Sequence, residues 1–339
     1  KHGRRPEQSA SESNRCMKEL LRIDPAAETA RIAASIQRLL TTDLRRRGLV
    51  LGLSGGIDSS VTAALAVAAV GRDRVFGILM PERDSSPDTL ELSRSVALNL
   101  GIQYAVEDIT PQLEAAGFYR RYAEAVRSVV PEFGEGWKSK LVTSGVKGEG
   151  GFTYFTLVAQ SPDGTVQRHR LPAATYLAIV AATNFKQRLR KLMEYYYADR
   201  LNYAVAGTPN RLEYDQGFFV KNGDGSADIK PIAHLYKCQV YQLADHLQLP
   251  ETIRSRPPTT DTYSMPQGQD EFFFSVPVLQ LDYCLYGKNH GIDPGTVASA
   301  AGLDVATVLA VWKDIDRKRS TTRPLHLPPL LIEPVPEIH

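Results

Sequence analysis

The chain has 339 residues, of which 43% are apolar and 23% charged, and this composition predicts a folded protein with a substantial buried core. Its 40 basic and 38 acidic residues leave a net charge of +2, which argues against a nucleic-acid-binding protein and favours a small-molecule ligand. Three scattered cysteines argue against a disulfide framework or zinc site, and the longest apolar run is too short to cross a bilayer, so we expect a cytoplasmic protein with no membrane or nucleic-acid partner.

The first half of the chain alternates between predicted helices and strands. Asp24 and Pro25 are typical of a helix start, and apolar residues at helical spacing continue until Gly48. The patterns that follow predict a strand at 48–53, a glycine turn, a helix at 57–70, a strand at 74–80, a helix at 88–100, a strand at 102–108 and a helical segment after Thr110. This alternation predicts an α/β fold, a Rossmann-like doubly wound parallel sheet with helices on both faces.

The composition changes after about Pro131, where glycine, serine and lysine become frequent. Two short strands around the turn at 161–164 predict a β-hairpin, which we assign to an insertion at 131–175. Beyond it the patterns predict a helix from Asn184, a strand at 201–206, a loop at 222–228, a helix at 237–247 and a final helical segment at 302–318. We therefore expect a flexible N-terminal tail at 1–23, one domain at 24–325 and a C-terminal tail at 326–339.

The sharpest local motif is the string S-G-G-I-D-S at residues 54–59, between a predicted strand and a predicted helix. Adjacent glycines let backbone N–H groups close on an anion, and the start of a helix favours negative charge. Ser54 and Ser59 are donors for phosphate oxygens, while Asp58 beside an anion makes sense if Mg²⁺ lies between them. The structural alternative is a tight turn with Asp58 as a stabilising acid in the first helical turn.

The whole string resembles the pyrophosphate loop of the ATP pyrophosphatase superfamily, and it is not a Walker loop. The second half of the chain resembles the ammonia-dependent NAD⁺ synthetases within that superfamily, because several short signatures occur in family order. These signatures are N-F-K-Q-R-L-R at 184–190, Gly207 with Thr208, Glu213, G-F-F-V-K at 217–221, Gly223-Asp224-Gly225, Asp228, Pro231, Lys237 with Gln239, and Pro258-Thr259 with Asp261.

The resemblance implies that ATP is a substrate, that Mg²⁺ is the metal, and that Asp58 and Glu213 are the magnesium ligands. The ATP contacts that it implies are Ser54, Gly55, Gly56, Asp58, Ser59, Ser60, Thr208, Lys237 and Thr259. Two hard oxygen ligands on a phosphate chain suit magnesium. Each of these residues also has a plainer interpretation, for example a solvated lysine at a helix start for Lys237.

The resemblance also implies a deamido-NAD⁺ site, a homodimer with that site at the subunit interface, and ammonia as the nitrogen donor. The residues matched to the dinucleotide site are Asn184, Arg188, Lys221, Asp228, Arg317 and Lys318. Asp224 matches the neighbourhood where ammonia would be oriented or deprotonated, although Gly-Asp-Gly is also a common surface turn. We therefore take Asp58, Lys237 and Asp224 as the candidate catalytic residues.

Three features depart from the family pattern: the insertion at 131–175, Thr183 where an acid commonly precedes the asparagine, and Arg317-Lys318 in place of a His-Lys pair. These departures leave open an amide ligase of the same fold that acts on a different carboxylic acid. A tRNA-modifying enzyme of the superfamily is a second alternative, which the near-neutral charge and scattered cysteines disfavour. A non-catalytic nucleotide-binding paralogue is a third, which the presence of Asp58, Glu213 and Lys237 disfavours.

Overall fold

A computed structural model describes residues 19–143, 154–257, 259–260, 262–268, 271, 273–274 and 276–337. In these residues the helices and strands are α1 Pro25–Arg38, β1 Leu49–Gly52, α2 Ile57–Val70, β2 Val75–Leu79, α3 Pro87–Leu100, β3 Gln103–Val106, α4 Thr110–Ala115, α5 Phe118–Arg127, β4 Lys138–Thr143, β5 Phe155–Gln160, β6 Val166–Arg170, α6 Ala173–Leu201, β7 Ala204–Val205, α7 Arg211–Gln216, α8 Lys237–His246, α9 Glu251–Arg254, β8 Thr259–Thr260, β9 Gln267–Gly268, α10 Val278–Asn289, α11 Pro294–Ala301 and α12 Val305–His326.

The central sheet of the described chain has four parallel strands in the order β3, β2, β1, β7. Successive side chains of a strand point to opposite faces, and β1 obeys this rule. Leu49 and Leu51 pack with α1, α2 and α8 on one face, while Val50 packs with α5 and α6 on the other. The predicted parallel α/β sheet with helices on both faces is therefore confirmed.

The insertion forms a separate antiparallel sheet. The predicted hairpin corresponds to β5 and β6, but a third strand, β4, pairs along β5 and was not predicted from the sequence. Leu141 and Leu157 from this sheet pack against Val126 of α5 and Ile179 of α6. The inserted sheet, residues 138–170, is thus attached to the sheet face that α5 and α6 cover.

Helix boundaries differ from the sequence predictions where side-chain patterns were weak. Helix α6 begins at Ala173, well before the predicted Asn184, and it continues to Leu201, so only Ala204–Val205 remains of the predicted strand. Helices α10 and α11 were not predicted, and α12 extends the predicted last helix to His326.

Near the N-terminus, Leu21 is buried and its carbonyl oxygen accepts a hydrogen bond from Gln242. The domain and tail limits stay predictions.

No single helix in the described ranges has the length and apolar composition needed to span a bilayer. By those two criteria only the pair α11 and α12 passes together, and these two helices are bent by 103° at their junction.

Two helix-ending glycines offer a stability test. Gly217 after α7 and Gly302 after α11 both have positive φ, 72° and 66°, but a Cβ on Gly217 would lie 2.3 Å from Thr322 Cβ, whereas a Cβ on Gly302 meets nothing within 4 Å. We expect Gly302→Ala to cost about 1–2 kcal/mol for the left-handed backbone alone. Gly217→Ala should cost about 1–3 kcal/mol more, because Thr322 must move. Urea unfolding midpoints of the two variants measure the difference, and equal midpoints would contradict the predicted clash.

Candidate functional site

The S-G-G motif forms the turn between β1 and α2. Gly55 has a φ of 70°, and a Cβ there would lie 2.7 Å from Leu92 Cβ, so the turn requires glycine for both its backbone and its contact with α3. Gly56 is the N-cap of α2, and no side chain caps that helix end. The first N–H groups of a long helix therefore border this turn, which is a favourable place for an anion.

The serines of this phosphate loop, residues 54–60, bind one another and the loop backbone. Ser59 Oγ lies 3.1 Å from Ser54 Oγ, and Gly56 N donates to Ser54 Oγ over 3.3 Å. Ser60 is fully buried, and its hydroxyl donates to the Gly56 carbonyl over 2.8 Å, an ordinary contact inside a helix. Ser54 is exposed at the turn, so of the three hydroxyls it is the one best placed to meet a ligand.

Asp58, Asn210 and Glu213 come together beside the phosphate loop. Strand β7 lies next to β1, so the residues that follow β7, including Thr208, reach the same edge of the sheet. Asn210 caps α7 in a capping box with Glu213, and its Nδ2 donates to Asp58 Oδ1 over 3.1 Å. This places two carboxylates near one another; no group of three or more His, Cys, Asp or Glu suited to a metal occurs in the described part of the chain.

Lys237 is a buried cation in this cluster. Its side chain is 1% exposed, and its ammonium donates to Asp58 Oδ2. Burial lowers the pKa of Lys237, but the carboxylates of Asp58 and Glu213 outweigh burial, so the net shift is upward and the ammonium stays charged. The cluster therefore holds a fixed positive charge next to the anion-binding turn.

Asp282 of α10 fixes the start of α8 and with it Lys237. Its two carboxylate oxygens accept from the backbone N–H groups of Lys237 and Cys238 over 3.0 and 2.7 Å. Asp282 is fully buried, and burial raises its pKa to about 6 against the opposing effect of these two hydrogen bonds. Asp282 thus satisfies the first N–H groups of α8 from a distant helix, while the N-cap residue itself is Tyr236.

Asp224 lies in a second, partly buried charged cluster. Its Oδ1 accepts from Val220 N over 2.7 Å, and burial raises its pKa, with Lys191 acting in the opposite direction. Lys191 forms a buried ion pair with Glu194. A Cβ on Gly52 would lie 2.9 Å from Glu194 Oε1, so this cluster adjoins the end of β1 that carries the phosphate loop.

Arg188, Lys221 and Asp228 lie around the 217–228 segment rather than in the Asp58 cluster. Arg188 Nε donates to the Lys221 carbonyl over 3.3 Å, and Lys221 Nζ donates to the Pro324 carbonyl over 2.8 Å. Asp228 Oδ2 accepts from Val205 N over 2.7 Å, so this carboxylate also has a structural role at the end of β7.

Arg317 and Lys318 lie on α12, where both form ion pairs with Asp314. Lys318 Nζ also donates to the Phe273 carbonyl over 2.6 Å, and burial lowers its pKa. Asn184 is half-buried on α6, two residues before Lys186. The side chain of Thr259, together with Pro258 and Asp261, lies outside the described residues. The structure therefore brings Asp58, Glu213 and Lys237 together, while the predicted dinucleotide residues lie outside this cluster on α6, on α12 and in the 217–228 segment, and Lys221 joins these three elements through hydrogen bonds.

Sequence reasoning missed three supporting residues: Asn210, Asp282 and Lys186. The capping-box spacing of Asn210 and Glu213 was a visible signal for the first of them. Lys186 is 2% exposed, and its ammonium lies 2.6 Å from Glu82 Oε1 and 3.4 Å from Asp84 Oδ2. The partners of Lys186 are about a hundred residues away, so local spacing carried no sign of the pairing. Asp282 likewise lies 45 and 44 residues from the N–H groups that donate to it, which local spacing could not reveal.

Comparisons with known proteins point to one family. A family model described as NAD synthase matches residues 29–131 and 162–322. The chain is 58% identical to the NH₃-dependent NAD⁺ synthetase of Rhizobium meliloti over 318 residues, which are 94% of this chain and 95% of that protein. It is also 58% identical to the protein of the same name from Mesorhizobium japonicum, over 92% of this chain and 98% of that protein. A solved NH₃-dependent NAD synthetase from Campylobacter jejuni shares the fold, with a TM-score of 0.60, 22% identity, and coverage of 92% of this chain and all of that one.

Proposed function

The chain belongs to the NAD synthase family, and from that premise we propose that it makes NAD⁺ by ATP-dependent amidation of deamido-NAD⁺ with ammonia. The observation that supports this most directly is the buried Lys237 beside the phosphate loop, whose ammonium is held by Asp58 and whose backbone N–H is held by Asp282. A reaction on a polyphosphate needs groups that stabilise negative charge, and this site supplies a fixed cation and helical N–H groups. It also supplies two carboxylates of the kind that bind a metal ion beside phosphate. The proposed enzyme class is an amide-forming ligase that consumes ATP.

The phosphate loop binds the ATP phosphates in this proposal. The N–H groups at the start of α2 and the hydroxyl of Ser54 take phosphate oxygens, and Lys237 neutralises charge on the pyrophosphate as it leaves. Thr208 and Thr259 remain proposed ATP contacts by resemblance. Ser59 and Ser60 support the loop through their bonds to its backbone.

The donor set also suits Mg²⁺. Asp58 and Glu213 supply two hard oxygen ligands near the phosphates, and magnesium is commonly held by one or two carboxylates together with substrate phosphates. When bound there, the ion would screen the negative charge of the ATP phosphates. Asp58 also forms the ion pair with Lys237, so the same carboxylate group would bind the magnesium ion and hold the Lys237 ammonium.

The reaction that follows has two steps. A carboxylate oxygen of deamido-NAD⁺ attacks the α-phosphorus of ATP, the bond to the β-phosphate oxygen breaks, and pyrophosphate leaves. Ammonia then attacks the acyl carbon of the adenylate, loses a proton, and displaces AMP to give the carboxamide. We propose Asp224 as the group that orients ammonia or takes its proton, because burial raises its pKa and makes it a better proton acceptor than a solvated aspartate.

Asn184, Arg188, Lys221, Asp228, Arg317 and Lys318 are the proposed deamido-NAD⁺ residues. The resemblance implies that this site lies at a subunit interface, and we therefore propose a homodimer. Leu192 and Tyr196 on α6 support it, because these large apolar side chains are 62% and 53% exposed one helical turn apart. Sedimentation of the purified chain tests the dimer. The cytoplasmic location inferred from the sequence also stays a prediction.

The direct test is pyrophosphate release by the purified protein with Mg-ATP, ammonium and deamido-NAD⁺, with a panel of other carboxylic acids and an Asp58→Ala variant as controls. We expect release that depends on deamido-NAD⁺ and yields NAD⁺ and AMP. If pyrophosphate is released only with another acid, the adenylation chemistry is retained but deamido-NAD⁺ is not the substrate. This outcome is the alternative that the insertion favours. An absence of release with every acid would reject the ligase assignment.

A further inference from the structure

Helix α7 carries part of the Asp58 cluster, and its position depends on contacts with other elements. It spans only Arg211–Gln216, with Glu213 in its first turn and Asn210 as its N-cap. A helix of six residues has little stability of its own. Its Leu212 is fully buried in a core shared with α10, α11 and α12. The place of Glu213 relative to Asp58 is therefore set by the elements that hold α7 from outside.

Arg319 of α12 forms a paired contact with the last turn of α7. Its Nε donates to Asp215 Oδ1 over 2.6 Å, and its Nη2 donates to Asp215 Oδ2 over 2.7 Å. The side chain of Asp215 is 9% exposed and that of Arg319 is 33% exposed. Two parallel hydrogen bonds fix the direction of both groups as well as their distance, which a single bond does not do. The arginine thus fixes the orientation of α7 against α12.

A third hydrogen bond holds Arg319 itself in place. Its Nη2 also donates to the Oδ1 of Asn289, the last residue of α10, over 2.7 Å. The guanidinium therefore lies between α7 and α10 and is bound to both. Helix α8 has its own attachment to α10, because Asp282 accepts from the backbone N–H of Lys237. Loss of Arg319 should therefore release α7 without releasing Lys237.

Asp215 has a second basic neighbour, Arg211, on α7 itself. Arg211 Nε lies 3.6 Å from Asp215 Oδ2 and has no hydrogen-bond partner among the residues that the structure describes. Without Arg319, the Asp215 carboxylate still has this cation beside it, so it is not left as an isolated buried charge. That pair lies within one helix and attaches α7 to no other element. Removing Arg319 should thus leave the protein folded but loosen α7.

From these contacts we propose that Arg319 is a positioning residue for the metal site, which through Asp215 holds α7 where Glu213 binds the magnesium ion beside Asp58. This role of Arg319 rests on the proposed function, which makes Asp58 and Glu213 the magnesium ligands. Glu213 and Asp215 are two residues apart on one short helix, so a shift of α7 moves both side chains. Removing a group that supports a metal ligand typically lowers metal affinity about 10- to 100-fold.

Calorimetric titration with ATP, in Mg²⁺ and separately in EDTA, measures how much the metal ion contributes to ATP binding. We expect Arg319→Gln to lower the ATP affinity about tenfold in Mg²⁺ and to leave it unchanged in EDTA, because Lys237 and the phosphate loop stay in place. Asp215→Asn removes the charge of the other partner and should give the same loss, and the double variant should lose no more than either single variant. Arg319→Lys keeps the charge without the paired geometry and should recover part of the affinity.

Arg254→Gln is the matched control. Arg254 is 31% exposed and also pairs with an aspartate, since its Nη1 lies 2.8 Å from Asp245 Oδ1, but this pair lies at the end of α8 opposite to Lys237. Its loss should leave the ATP affinity unchanged with and without Mg²⁺. Circular dichroism confirms that each variant is folded, and Asp215→Asn, which preserves side-chain size, carries the test if Arg319→Gln does not fold.

The outcomes separate the role of Arg319 from the proposed function. The titrations contain no deamido-NAD⁺ and need no turnover, so they do not depend on which carboxylic acid is the substrate. An unchanged ATP affinity of the variants in Mg²⁺, or an equal loss in Mg²⁺ and in EDTA, overturns the role of Arg319 alone. A wild-type protein whose ATP affinity does not depend on Mg²⁺ overturns the proposed metal site and the role of Arg319 with it.

Discussion

Replacing Lys237 by methionine is expected to slow pyrophosphate release about 10²- to 10³-fold, the loss that follows removal of one charge-stabilising group from a transition state. The substitution removes the ammonium that faces the phosphate loop and keeps most of the side-chain volume. It also frees Asp58 Oδ2 from its cationic partner, so an additional negative charge faces the ATP phosphates. Both effects act on the adenylation step.

Single-turnover pyrophosphate release is the measurement, because it isolates adenylation from the attack by ammonia. Lys288→Met is the matched control, since Lys288 is also partly buried in an ion pair, with Asp316, but lies on α10 outside the Asp58 cluster. Lys237→Arg should not restore the rate, because a guanidinium is larger and planar where the site holds a compact ammonium. A Lys237→Met rate within threefold of the wild-type rate would show that this cation does not stabilise the departing pyrophosphate.

The sequence predicted the parts of this site that depend on local chemistry. Glycine at position 55 is required by a positive φ and by the close approach of Leu92, and this is why the S-G-G string identifies the turn without any knowledge of the fold. The helix at 57–70 was predicted with its observed limits, because an apolar, alanine-rich run is bounded by glycine at both ends. The parallel sheet followed from the alternation of strands and helices.

The sequence could not predict what depends on contacts between distant segments. The short strand β4 carries charged residues at two of its first three positions, and it becomes a strand because it pairs with β5 and packs Leu141 into a core shared with α5 and α6. Helix α6 was predicted too short because its first turns lack polar and apolar residues in a clear helical period. Helix α11 was missed although Asp293, Pro294 and Gly302 are a visible cap, first turn and end.

The inserted sheet contacts two regions of the protein that are far apart in the sequence. Ser139 of β4 donates its N–H to Ser264 Oγ, which follows the predicted ATP contact at Thr259 in the sequence. The Ser139 hydroxyl also lies 2.9 Å from the hydroxyl of Tyr122 on α5. Lys186 joins α6 to the same region, because its ammonium also donates to the Thr262 carbonyl over 3.2 Å. The contacts with β4 and α6 therefore hold residues 262–266 against the inserted sheet and the central domain.

Asp282→Ala is expected to destabilise the protein by about 2–6 kcal/mol, because it leaves the N–H groups of Lys237 and Cys238 buried and without an acceptor. Each unpaired buried donor costs about 1–3 kcal/mol, and Asp282 is the acceptor for both. The same loss releases the start of α8, so the Lys237 ammonium no longer has a fixed position against Asp58. Pyrophosphate release should therefore fall together with stability, although Asp282 is a positioning residue and contacts no substrate.

The matched control is Asp293→Ala, which removes the N-cap of α11, where the side chain accepts from Thr296 N over 3.0 Å. A peripheral N-cap of this kind contributes about 1 kcal/mol, and its loss should leave pyrophosphate release unchanged. Urea unfolding gives the two stability differences, and the pH and temperature of the rate assay are chosen so that both variants are fully folded. If folded Asp282→Ala releases pyrophosphate at the wild-type rate, then the ion pair with Asp58 is enough to fix the Lys237 ammonium, and the cap that Asp282 provides on α8 serves stability only.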